Sequence, residues 1–121
     1  GGVELTIPKP LASCQNLSAV RVNSNKLKHL GICEGMIVLV NQGEVKNGDL
    51  VAINETKTNY THLGYIDKPF GLIGIEKPNS EPLVFDEKEV EILGKILGFG
   101  QPQKTPSGKE KVIISLLNLA S

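Results

Sequence analysis

Ser24 and Lys26 stand two residues apart in the run Val22-Asn23-Ser24-Asn25-Lys26-Leu27. On an extended strand residues i and i+2 point to one face, so a lysine amine placed there could take the serine proton and make the hydroxyl a nucleophile. Asn23 and Asn25 flank Ser24 and favour an ordinary polar turn instead, because asparagine side chains bond nearby backbone. Lys26, Lys28 and His29 form a small basic cluster, read first as a hydrated turn and second as a contact for an acidic peptide or phosphate. The two histidines, His29 and His62, and the two cysteines, Cys14 and Cys33, are scattered without CxxC spacing. A metal centre needs three or four converging ligands, so structural roles and free thiols are expected for all four. A Ser-His-Asp arrangement has no more support. Gly98-Phe99-Gly100 lacks the third glycine and following helix of a dinucleotide fingerprint, and no Gly-Lys-Ser/Thr occurs. Neither metal nor cofactor is expected.

Holding such groups in place falls to strands. Thirteen glycines, seven prolines and short β-branched runs separated by turns point to a mostly β domain, a small Greek-key-like sandwich or partly closed barrel. Runs 20–22, 37–40, 49–53, 59–66, 71–76, 82–85 and 90–97 read as strands. Asn47-Gly48 suggests a type I′ turn, since both central positions of that turn need positive φ. Residues 78–82, Pro-Asn-Ser-Glu-Pro, mark another turn, and the acidic run 86–91 reads as a solvated turn entering a strand. The stretch 111–119 is an apolar run whose periodicity fits strand or helix, and its β-branched start favours a strand, exchanged with or paired to a second subunit. These signals divide the chain into an N-terminal linker or arm (1–19), a β domain (20–100) and a C-terminal loop with an apolar strand at an interface (101–121).

The segment 20–40 and the motifs that follow it resemble the C-terminal domain of the LexA-like self-cleaving repressors, relatives of signal peptidase. Four features carry the resemblance: Gly31-Ile32-Cys33-Glu34-Gly35 before an apolar strand, Val45-Lys46-Asn47-Gly48-Asp49-Leu50-Val51-Ala52, Leu72 to Ser80 similar to a strand leading to a Pro-x-Asn turn, and Val90 to Gly98 similar to a closing strand. Their order and spacing extend over residues 20 to 99. The family's turn reads roughly Ser-Gly-x-Ser-Met, with the second serine as nucleophile. Here the turn is Asn23-Ser24-Asn25-Lys26-Leu27, so the resemblance puts Lys26 in the nucleophile's place. The family's base is a buried lysine on the strand after the Asn-Gly-Asp turn, and the comparable stretch His62-Leu63-Gly64-Tyr65-Ile66 places Gly64 there. The family cuts an Ala-Gly bond, and these 121 residues contain no such pair.

Composition narrows the function classes. Thirteen basic and thirteen acidic residues cancel, which leaves no electrostatic footprint of nucleic-acid binding. No apolar run approaches the ~20 residues of a membrane-spanning helix, and the cysteine usage with no signal-peptide pattern suggests a cytoplasmic setting. The Gly1-Gly2 start reads as an appended scar or the cut end of a longer protein. The resemblance then implies a catalytically inactive domain, a pseudo-peptidase that dimerises and regulates a prokaryotic or phage transcription regulator, with DNA contacted only by an N-terminal helix-turn-helix. The partner surface expected is the stretch 90–99 together with the tail 112–119. Two alternatives stand beside it. One is a cleft formed by Ser24, Asn25, Lys26, Gly64 and Tyr65 that binds a peptide, linker or small effector. The other is a serine peptidase with a relocated Ser24-Lys26 dyad.

Overall fold

The computed structural model describes residues 2–69, 72–76 and 81–117. Eleven strands appear among them: β1 (Val3–Thr6), β2 (Leu17–Arg21), β3 (Ile37–Asn41), β4 (Leu50–Glu55), β5 (Tyr60–Asp67), β6 (Leu72–Glu76), β7 (Leu83–Asp86), β8 (Val90–Gly100), β9 (Gln103–Lys104), β10 (Glu110–Ile113) and β11 (Ser115–Leu116). Helix is limited to three short 3-10 turns, 9–11, 28–30 and 87–89. The mostly β expectation holds, in the form of a small sandwich whose sheets do not close into a barrel. The larger sheet runs β2-β3-β8-β4-β5-β6-β7, and a smaller one runs β1-β10-β9.

Side-chain alternation on two central strands divides the interior into three cores. Val38 and Val40 of β3 face a central cluster with Leu27, Ile32, Leu50, Ala52 and Leu63, while Ile37 and Leu39 face Leu11, Val112 and Ile114. On β4, Leu50 and Ala52 join the central cluster and Val51 and Ile53 join Val45, Ile66 and Ile73. A strand covered on both faces must be apolar without interruption, which is why Ile-Val-Leu-Val and Leu-Val-Ala-Ile contain no polar residue. Phe85 of β7 and Val90 and Ile92 of β8 pack on the Val51 cluster together. Three strands separate β7 from β8 in the sheet, so a flat sheet would hold them about 19 Å apart at ~4.8 Å per strand. The sheet therefore curls around this core.

β8 serves all three cores because it changes partner along its length. It pairs with β4 from Val90 to Lys95 and with β3 from Lys95 to Gly100, and a register shift marks each ladder. Gly94, at φ +147°, lies at the exchange, where a Cβ would run into the Asn41 carbonyl. No other residue type tolerates both the angle and the contact.

Several expectations change here. The segment 1–19, expected as a linker or arm, contains β1, which pairs in parallel with β10, and Leu11, which is buried. The tail does form strands, but they pair within the chain: β10 with β1 and β9, β11 with β8. From Lys95 onward β8 is flanked on both edges, by β3 on one and by β4 and then β11 on the other, so it offers no free edge there to a partner. The turn at Asn47-Gly48 is present, with Asp49 N–H donating to the Lys46 carbonyl at 3.0 Å. Only Gly48 has positive φ, however, so the signs are those of type II and not type I′. The reason is topological: β8 lies between β3 and β4, and strands that do not pair need no hairpin twist. The β4–β5 hairpin instead uses Asn59, at φ +57°. Residues 70, 71, 77–80 and 118–121 of the expected elements lie outside the described ones.

Candidate functional site

The turn 22–36 is built around two buried side chains. Leu27 and Ile32 are 1% and 0% exposed in the central core, and the Leu27 carbonyl accepts from Leu30 and Ile32 N–H. Val22 closes the base of the turn by bonding Met36 and Gly35 through both of its backbone groups. Asn25 Oδ1 accepts from Glu34 N–H at 2.9 Å, crossing the turn. Lys26 is thus held between a residue bonded across the turn and a residue sunk in the core, and its own side chain is exposed. Ser24 is half-buried, while Asn25, Lys28 and His29 are exposed.

The Lys26 ammonium lies 5.8 Å from the centre of the Tyr60 ring, within cation–π range. Tyr60 begins a row of rings: Tyr60 to His62, 4.7 Å between centroids, then His62 to Phe85, 5.1 Å. His62 Nε2 sits 3.0 Å from Glu55 Oε1, and its side chain is 11% exposed. Among the described residues His62 Nδ1 is buried without a hydrogen-bond partner. A neutral imidazole whose Nε2–H donates to Glu55 leaves Nδ1 as a lone pair among apolar atoms, an arrangement that costs about 1–3 kcal/mol.

β5 also carries Gly64 and Tyr65. Gly64 stands opposite Val51, and Tyr65 packs on the same central core as Leu27. Strand residues rise ~3.3 Å each, so Gly64 lies about 13 Å along β5 from Tyr60, the residue beneath the Lys26 ammonium. The alternation Tyr60, His62 on one face of a strand was visible in the sequence; that Glu55, seven residues earlier, crosses the hairpin to meet His62 was not. Between Tyr60 and Asp67 the strand holds no lysine, and Lys57 and Lys68 stand outside it. Cys14 and Cys33 are free thiols. Among the described residues no three His, Cys, Asp or Glu side chains cluster as metal ligands would, and no helix is long and apolar enough to cross a membrane.

A search with family models finds no match. Over 98 residues, 78% of this chain, the sequence is 32% identical to the LexA repressor of Carboxydothermus hydrogenoformans. Over those residues the chain is similar to LexA. It spans about half the length of that relative, 48%. The likeness agrees with the resemblance read from the Gly-Ile-x-x-Gly and Asn-Gly-Asp motifs, which the structure places just before β3 and just before β4.

Proposed function

We propose that this chain is a LexA-like regulatory domain that no longer cuts a polypeptide and that serves, in the cytoplasm, to pair two copies of a prokaryotic or phage transcription regulator. One observation carries the loss of cleavage. Lys26, at the position the resemblance gives to the nucleophile, has its ammonium over Tyr60, and an ammonium cannot attack a carbonyl. With no lysine on β5 either, the serine and its base are both missing from the family's arrangement. The absent Ala-Gly bond adds nothing, since the chain spans only half of its relative. A relocated Ser24-Lys26 pair would have to draw Lys26 away from the Tyr60 face.

The parent protein, incubated at alkaline pH alongside its Ser24→Ala variant, is expected to stay intact in both samples. Cleavage of the native protein that Ser24→Ala abolishes would overturn the proposal and establish the relocated dyad. For pairing, support comes from exposed apolar residues near the chain ends: Ile113 is 68%, Leu116 45% and Val3 40% exposed. DNA contact would belong to a helix-turn-helix outside this chain. Sedimentation at micromolar concentration tests the pairing; a strict monomer removes it.

A second reading is supported by β2. Among the described residues its outer edge has no strand partner, and it runs directly into the Ser24–Lys26 turn. An extended linker could add there as a strand, using backbone bonds for affinity. NMR shifts at Ser24–Lys26 and Gly64 on adding the linker peptide are its expected sign.

A further inference from the structure

The curled sheet has an unclosed seam. β7 pairs only with β6, and Val90, Glu91 and Ile92 of β8 pair only with β4 among the described residues, yet Phe85, Val90 and Ile92 share one core. A cavity of about 430 Å³ lies on this side of the molecule, lined by Lys68, Ile73, Glu87, Val90 and Ile92. That volume is within the range of small-molecule sites. Among the described residues its apolar surface comes from Ile73, Val90 and Ile92, and the two charged side chains are of opposite sign.

We propose that this seam binds a small zwitterion with an apolar side chain, an α-amino acid of the leucine type. The aliphatic group lies on Ile73, Val90 and Ile92, the carboxylate meets Lys68, and the ammonium meets Glu87. Charge complementarity selects this occupant. A simple carboxylate would find a partner only in Lys68 and a simple amine only in Glu87; a zwitterion carries a partner for each. The local structure leaves these two charges available. In the acidic run after β7, Asp86 and Glu89 are consumed by a capping box: Asp86 Oδ1 accepts from Lys88 N–H at 3.0 Å, and Glu89 Oε1 accepts from Asp86 N–H at 2.8 Å. Glu87, between them, makes no ion pair among the described residues, and neither does Lys68. The Lys68 backbone is fixed, its N–H donating to Asn47 Oδ1 at 3.1 Å. The site is separate from the Ser24–Lys26 turn and does not depend on whether that turn binds or cuts anything.

Exposed charges contribute little each, so the expected dissociation constant is on the order of 1 mM. The test is an NMR titration of the 121-residue chain with L-leucine, with 4-methylpentanoate (no ammonium) and with 3-methylbutylamine (no carboxylate). Leucine should shift the amides of Lys68, Ile73 and 87–92 saturably, at least roughly tenfold more tightly than either analogue. Lys68→Glu and Glu87→Lys should each abolish the shifts, and the double exchange should restore them, which also controls for folding. No saturable shift up to about 50 mM, equal binding of the analogues, or shifts confined to Ser24–Lys26 and Gly64 would each overturn the proposal. The last outcome would at the same time favour the linker cleft.

Discussion

Gly98→Ala isolates the docking of β11 from the rest of the fold. Gly98 has no positive φ, so alanine fits its backbone; what it meets is space already occupied. An added Cβ would stand 2.5 Å from the Ser115 carbonyl oxygen and 2.7 Å from Ile114 Cγ2. Overpacking of this kind costs about 1–3 kcal/mol. The loss has a ceiling, because β11 can detach: Ser115 and Leu116 pair with Phe99 and Gly98, and Leu117 N–H donates to Leu97 at 3.0 Å. These bonds contribute about 1 kcal/mol each, which puts the net destabilisation near 1–2 kcal/mol. In a chain ended at Ile113 neither Ile114 nor Ser115 stands over Gly98, and alanine there should stabilise the strand by about 0.5–1 kcal/mol. The four proteins, native and Gly98→Ala with and without the tail, form a double-mutant cycle read by urea unfolding. The expected coupling is about 2 kcal/mol. A coupling under about 0.5 kcal/mol, the range of independent sites, would refute the claim that β11 docks on Gly98.

Two further outcomes follow from the site and its neighbourhood. Glu55→Ala should cost about 1–3 kcal/mol by leaving both ring nitrogens of the largely buried His62 without protein partners, while Glu55→Ala combined with His62→Phe should recover most of it; thermal unfolding of the three proteins decides this, and no recovery would refute it. Asp86→Ala removes the acceptor of the capping box ahead of β8 and should cost about 1 kcal/mol, with faster amide exchange at Lys88 as its local signature.

The strands from Ile37 to Leu97 were legible because β-branched runs and turn residues are local signals. Their neighbours were not. Asn47-Gly48 announced a hairpin between β3 and β4, but β8, over forty residues downstream, lies between those strands, and nothing local encodes that. β1 escaped for the same reason: Val-Glu-Leu-Thr is short, and its partner Glu110–Ile113 is at the other end of the chain. At the site, Lys26 and its polar turn stood in plain view in the sequence. Its ring partner Tyr60 and the Glu55–His62 contact depend on how far β5 is drawn along β4, a register that the hairpin turn at Asn59 sets.

The parallel pairing of β1 with β10 bears on how the molecule comes into being. During synthesis Val3–Thr6 leaves the ribosome long before its partner and must wait, unpaired, until Ile113 has followed it out. No portion of the chain that stops before Glu110 can complete the outer layer over Ile37 and Leu39. Folding that depends on such distant partners is slow, on the scale of milliseconds to seconds, and the waiting strand is exposed to proteases and to other nascent chains throughout. Removing Val3–Thr6 or Glu110–Ile113 should therefore undo the same layer.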